Sequence, residues 1–214
     1  IKRSIMRRRF ALILSLVFMW QGFGQIIKDL DWVSPMHEGM AAVKKGNMWG
    51  FIDKDGIMKI EPREDLATSK TSFSGVSEDS EMEYPIFVEG RCLIEQTFEG
   101  IRYFGFIDKQ GKTVVEPGYI NATNFRNGFA IVTQYSKQVL GKNNLLGKDV
   151  VNYLAEELII DAKGEVVTSL MNSRTFVPNK VKDSPPDMHA YFIGEGLVAV
   201  KGDDGQWSIY KFDE

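Results

Sequence analysis

The side chains able to do chemistry are few and poorly grouped. Cys92 is the only cysteine, and His37 and His189 are the only imidazoles. A reactive thiolate needs a neighbour that lowers its pKa. In the repeat alignment developed below, however, Cys92 takes the place filled by Ala41, Ala130 and Val198, so it reads as a small core residue. Ser34 stands near His37, but a Ser/His site is defined by geometry rather than by nearness along a strand. The segments "DKDG" at 53–56 and "GDDG" at 202–205 resemble calcium loops, and counting from Asp53 puts Glu64 twelfth, where a bidentate ligand belongs. Ile57 and Lys59 break that pattern and "DKQG" fills the same role in the next copy, so turn chemistry is the better reading. Glu95, Glu99 and Asp108 could supply a carboxylate pair of the kind that hydrolyses glycosides. Trp32, Tyr84, Tyr103 and Tyr119, read as exposed rings, could stack on a glycan or a partner, but sealing one unit against the next is favoured. No glycine-rich phosphate loop, CxxC pair or HExxH helix occurs. These residues yield no catalytic, cofactor-binding or metal-binding assignment.

What positions these side chains is a repeat. "GFIDKDG" at 50–56 returns as "GFIDKQG" at 105–111, and the offset of 55 that carries Asp53 onto Asp108 also carries Pro62 onto Pro117. A second signature precedes each copy and occurs four times: "MHEGMAAV" at 36–43, "FVEGRCLI" at 87–94, "FRNGFAIV" at 125–132 and "IGEGLVAV" at 193–200. The second and fourth residues after its glycine are apolar in every copy, which places them on one face of a strand. "LIIDAKGEVV" at 158–167 keeps Asp161 and Gly164, and "GQWSIYK" at 205–211 keeps Trp207 with Ser208 in the glycine place. Periods of about 40 to 50 residues mark propellers, solenoids or arrays.

Each unit is expected to be a three-stranded antiparallel meander. Gly56, Gly111 and Gly164 sit where a hairpin needs a left-handed residue, and Asp53, Asp108 and Asp161 recur where a side chain could cap that hairpin. The third strand ends at a proline, which suits a strand end or edge. Glycine inside a strand is costly, so Gly50 and Gly105 are expected to lie under an aromatic ring from an adjoining strand or unit, with Trp49 and Phe104 at that stacking joint. Insertions lie at 63–84, 136–157 and 179–187. Within the second, "KDVVNYLAEEL" has helix-like apolar spacing with Asp149 as N-cap, predicting one short helix. The last unit lacks a third strand, and its open edge could be covered by oligomerisation, by an early strand around 26–33, or by further sequence.

The N-terminus has a basic head at Lys2, Arg3, Arg7, Arg8 and Arg9, then the apolar run "FALILSLVFMW" at 10–20 and small residues before Gln25. That layout reads as a secretory signal peptide over 1–24; an uncleaved anchor is the alternative. Its removal takes away five basic residues and no acidic one, so the formal charge of −3 becomes −8. Such an acidic chain is a poor partner for nucleic acid or anionic membrane, and membrane contact is expected only through that segment if uncleaved. A single cysteine leaves no internal disulfide.

The residues at 38–62, "EGMAAVKKGNMWGFIDKDGIMKIEP", resemble the WG-repeat family, whose unit runs apolar-x-x-Gly, a short apolar strand, Trp-Gly-aromatic-Ile-Asp, a Gly turn and a strand ending near proline. Only the first copy has the Trp49–Gly50 pair; the second has Phe104–Gly105. The resemblance implies a β-rich tandem repeat, common in bacterial secreted or envelope proteins, with no established catalytic residues. The reading is therefore an all-β array, solenoid-like or propeller-like, over 25–214, with units near 36–62, 87–117, 125–168 and 193–214. The expected function is an exported, non-catalytic binding or structural module, periplasmic, cell-surface or extracellular, with a protein or glycan partner. A secreted hydrolase using a carboxylate pair in an inserted loop is the alternative.

Overall fold

The computed structural model describes residues 27–70, 83–170, 173–175 and 185–212. The segment read as a signal peptide and the serine-rich part of the first insertion lie outside them. All the described elements are strands, in antiparallel sheets.

The first unit is a meander of four strands, β1 (Trp32–His37), β2 (Met40–Lys45), β3 (Met48–Asp53) and β4 (Met58–Arg63). The short pair β5 (Ser69–Lys70) and β6 (Glu83–Tyr84) follows. The second unit is β7 (Cys92–Phe98), β8 (Ile101–Ile107) and β9 (Thr113–Tyr119). Residues 65–67 lie along its outer edge, with Ala67 N donating to Leu93 O and Glu95 N to Asp65 O. The third joins β10 (Asn121–Ala122), β11 (Phe129–Asn143), β12 (Lys148–Asp161) and β13 (Val166–Ser169), with β14 (Arg174–Thr175) beside β12. The fourth is β15 (Ala190–Gly194), β16 (Leu197–Lys201) and β17 (Trp207–Lys211). The leader before the repeated glycine thus starts a strand in the first and fourth units, adding one strand to the expected meander. The early segment near Val33 pairs with β2 in its own sheet, so it does not close the edge of the last unit.

The three residues that end each signature are buried, on both faces of their strand. In the second sheet Cys92, Ile94 and Ile107 pack towards the first unit, with Ala42, Phe51 and Ile60, whereas Leu93, Phe104, Phe106 and Val115 pack towards the third, with Ala130, Val132, Leu158 and Ile160. The alternation continues: Ile131 and Ile159 turn to the fourth unit and meet Phe192, Val198 and Val200. Successive side chains on a strand point to opposite faces, so a strand apolar at every position must be sandwiched between neighbours. The sheets stack face to face.

Gly50 and Gly105 lie under backbone, not under the aromatic ring expected from the sequence. A Cβ on Gly50 would stand 2.6 Å from the carbonyl oxygen of Ile60 and 3.0 Å from the nitrogen of Pro62. On Gly105 it would fall still closer to the carbonyl of Val115 and 2.7 Å from the nitrogen of Pro117. The cause is a bulge: Trp49 pairs with Arg63 and Phe51 with Ile60, so Glu61 and Pro62 press against Gly50. In the second unit Phe104 pairs with Tyr119 and Phe106 with Val115. A proline in the bulge removes no ladder donor. In the third unit Leu158 replaces the glycine, and opposite it the ladder runs straight, Leu158 to Ser169 and Ile159 to Thr168.

The helix expected over 148–158 is also absent; those residues form β12. β12 pairs with β11 from Asn143–Lys148 back to Phe129–Asp161, with one irregularity between Val139 and Gly141. Asp149 faces Lys142 in the ladder instead of capping a helix. Asn143 closes the turn, its Oδ1 accepting from Leu145 N and Leu146 N and its carbonyl from Gly147 N. A ready partner strand and the β-formers Val150, Val151 and Tyr153 outweigh a local helical spacing.

Replacing Gly105 by alanine should therefore lower stability by about 2–3 kcal/mol through overpacking against backbone. Gly141→Ala, where an added Cβ meets nothing within 4 Å, should stay within about 0.5 kcal/mol of the parent. Urea unfolding of the two variants checks this contrast.

Candidate functional site

The charged side chains of the repeats converge on the joints between sheets. In the first three signature copies the acidic or amide residue before the glycine lies in a two-residue turn with both residues left-handed: Glu38 (φ 50°) with Gly39, Glu89 (φ 51°) with Gly90, and Asn127 (φ 53°) with Gly128. His37 pairs with Met40 across the first, the geometry of a type I′ hairpin. A left-handed glutamate costs about 1 kcal/mol, and its carboxylate offsets that cost. Glu38 Oε1 accepts from Glu89 N, and Oε2 from Gly90 N at 2.8 Å. Glu89 repeats the grip one unit on, with Asn127 N at 2.6 Å and Gly128 N at 2.7 Å. The second and third turns are thus each held by the turn before.

The rest of the joint repeats in register. Phe51 meets Phe87 edge-on at 4.7 Å between ring centroids, and Phe106 meets Phe125 at 4.8 Å. The turn glycines of the second and third units rest on the last strand of the unit before, since a Cβ on Gly111 would touch Ile60 and one on Gly164 would press into Val115. Arg63 donates to Gly111 O, Arg91 to Ala162 O, and Lys109 Nζ to Glu38 O while pairing with the Glu38 carboxylate. At the third joint, where Asn127 replaces glutamate, Arg126 donates to Phe192 O. There the buried Glu157 accepts from His189 N at 2.7 Å and lies 3.3 Å from His189 Nδ1.

The turn aspartates share one geometry. Asp53 Oδ1 accepts from the amides of Asp55 and Ile57, Asp108 Oδ1 from those of Gln110 and Lys112, and Asp161 Oδ1 from those of Lys163 and Glu165. Gly56, Gly111 and Gly164 have φ of 75°, 78° and 87° and donate to the carbonyls of those aspartates. Lys59 Nζ sits 3.1 Å from Asp53 Oδ2, a cation supplied by the chain itself. The amide of Ile57, above all, holds the Asp53 carboxyl low. Among the described residues, no three His, Cys, Asp or Glu side chains gather as metal ligands.

The remaining candidates are placed as follows. Trp49 is buried against Trp32 at 5.6 Å, and Trp32 against Tyr84 at 5.1 Å, so this ring cluster seals the first unit; Tyr84 is only 2% exposed. Phe104 is buried in the cluster shared by the second and third units. Tyr103 and Tyr135 join hydroxyls at 2.9 Å, and burial followed by that bond pushes Tyr103 up to about 12. Tyr119 flanks a groove of about 390 Å³ beside Val115 and Gly164, with Gln134 and Lys163 also on its lining. Ser34 Oγ accepts from Ala42 N and donates to Pro35 O, and His37 Nε2 lies 3.2 Å from Tyr84 Oη, so Ser34 and His37 are separately engaged. Glu95 pairs with Arg102, Glu99 lies in a left-handed turn, and Asp108 caps its hairpin. Cys92 is buried and free, and burial pushes its thiol up. Trp207, by contrast, is 51% exposed on β17 beside Tyr191.

The family model described as WG containing repeat matches residues 24–49 and 104–137. Two regions of the chain match WG repeats. The first match ends on Trp49 and the second begins on Phe104, the two aromatic residues that precede the crowded glycines. No curated protein matched. A solved structure, Kluyveromyces lactis Hsv2 complete loop 6CD, aligns at 10% identity and a TM-score of 0.29, covering 89% of this chain and 63% of that one. The glutamates of the WG-repeat joints, Glu38 and Glu89, were not singled out from the sequence. The signal was present in the acidic residue before glycine between two apolar runs, which is hairpin chemistry.

Two outcomes follow. Burial pushes the Glu38 carboxyl up, but the amides of Gly90 and Glu89 and the ammonium of Lys109 outweigh it and hold the group below its ordinary 4.5. A depressed carboxyl stabilises the fold above its unfolded pKa, and that contribution is lost as the pH falls through the folded value. Glu38→Gln should cost about 1 kcal/mol at neutral pH and narrow this gap to the parent as the pH is lowered below about 4.5, read from thermal midpoints across pH. Cys92 should resist a thiol reagent in the native protein and react fully once denatured, as followed by absorbance.

Proposed function

We propose that the protein is an exported, non-catalytic binding module in which the stacked WG repeats are scaffold and the long hairpin of the third unit contacts an envelope protein. The observation that carries this is the state of that hairpin's far end. Leu145 is 97% exposed and Leu146 69%, and Val139 and Leu140 behind them are also exposed. From Ser136 to Asn143 the paired strands extend by roughly 25 Å at about 3.3 Å per residue. Exposed aliphatic side chains at the tip of a paired arm suit an apolar recess on a protein. A polysaccharide is favoured less, because the rings that could stack on sugars, Tyr103, Tyr135 and Tyr153, pack against one another at the base of the arm.

Export is supported by the basic, apolar and small-residue sequence of the first 24 residues. The hydrolase reading gains nothing from Glu95, Glu99 and Asp108, each held in a separate place.

The test compares the parent with a Leu145→Asp, Leu146→Asp double variant on two immobilised materials, envelope proteins stripped of polysaccharide and envelope polysaccharide alone. The parent should bind the protein material and the variant should lose at least tenfold in affinity with its circular dichroism unchanged. Equal binding by both would remove the arm as the contact, and binding of the parent to polysaccharide alone would replace protein with glycan as the partner.

A further inference from the structure

We propose that the free edge of β17 pairs with β17 of a second copy, antiparallel about Ile209. This inference is independent of the role given to the long hairpin. In the other three units a further strand, β4, β9 or β13, lies beside the strand that corresponds to β17. Among the described residues, nothing pairs with the far side of β17, and all five of its residues are exposed.

The residue facing that edge restricts what can dock. Val200 pairs with Ser208 as Val43 pairs with Gly50, so Ser208 holds the place of the crowded glycine. A third strand with a proline bulge, as in β4 and β9, brings backbone to within 3 Å of a Cβ at that place. Where Leu158 fills it, the added strand has no bulge opposite that residue, its irregularity lying further along between Ile159 and Ile160, and it has no proline. Ser208 therefore admits a strand with no bulge opposite it and rejects one bulged there.

β17 is itself such a strand, and its sequence is complementary to its own reverse. Gly202 N donates to Gln206 O and Phe212 N to Gly196 O, which fixes the alternation of the β16–β17 ladder. By that alternation, Ser208 and Tyr210 bond to β16, and the N–H and C=O groups of Trp207, Ile209 and Lys211 point to the open edge. Antiparallel pairing about Ile209 places Ile209 against its own copy and Trp207 against Lys211 of the other chain. Lys201 Nζ already stands 5.8 Å from the Trp207 ring, on a face that Tyr191 shares. The second ammonium would extend that cation–π contact across the two-fold axis, and the exposed Tyr191, Trp207 and Ile209 of both chains would form one patch.

The full chain in mild detergent should sediment as a dimer that dissociates on dilution. Ile209→Pro removes an amide that does not serve β16, and should weaken the dimer at least tenfold while leaving the circular dichroism unchanged. Ile209→Lys, which keeps the amide but places like charges face to face, should do the same if the proline variant fails to fold. The amides of Trp207, Ile209 and Lys211 should be protected from hydrogen exchange in the dimer and lose protection on dilution. A parent that is monomeric at every concentration, or either folded variant dimerising as well as the parent, overturns the proposal. So does protection that does not change with concentration, which would mean that another part of this chain covers the edge.

Discussion

The structure depends on central strands with runs of consecutive apolar residues that must be covered on both faces. Ala42, Val43, Ile131, Val132, Ile159, Ile160 and Val198 are all fully buried. At roughly 1.5–3 kcal/mol for each buried aliphatic side chain of valine size or larger, this burial exceeds what any carboxylate grip at a joint supplies, about 1.5–3 kcal/mol for a charged hydrogen bond before exposure weakens it. Burial is non-directional, however, and would tolerate sliding of one sheet over the next. The Glu38 and Glu89 carboxylates, each bridging two amides of the following turn, remove that freedom. Stacking provides the energy and the acidic turns provide the register.

The strand glycine belongs to a different constraint, internal to each sheet. A bulge carrying Glu61 and Pro62, or Glu116 and Pro117, bends the third strand into the space where a side chain would stand. Glycine and the proline-bearing strand are therefore two halves of one feature and disappear together, as in the third unit, where Leu158 faces the proline-free β13. The aromatic residue before the glycine is free to vary between Trp49 and Phe104 because its task is ordinary core filling in both cases. The residue after it, Phe51 or Phe106, makes the ring contact with the next unit.

Much of this was legible in the sequence because the repeat writes the same local chemistry several times. The Asp-x-x-Gly hairpin could be located from residue type alone, since a left-handed glycine and a capping carboxylate are both short-range requirements. The partner of the strand glycine could not, because an apposed ring and an apposed backbone bulge both demand a missing side chain. The helix expected at Asp149 failed for the opposite reason: the local spacing was real, but its meaning is decided by a strand ending at Asn143 across a turn. Period-two reading also understated the strands. Scoring alternate positions, such as Ala41 and Val43, found one buried face, while the intervening Ala42 belonged to the other.

Five recurring carboxylates serve the joints and turns of the repeat. Glu38 and Glu89 are bound to turn amides and Asp53, Asp108 and Asp161 to their own hairpins, so freeing any of these five would loosen a joint or a turn. What the repeat does allow is extension. The insertion in the third unit lengthens β11 and β12 without leaving their ladder, so its far end is tied to the array through continuous backbone pairing instead of a flexible loop. An arm built this way keeps its direction relative to the sheets and would lose little freedom if a partner buried its tip. For the binding role proposed for the tip, the same rigidity would spare the ordering cost that a flexible loop would incur.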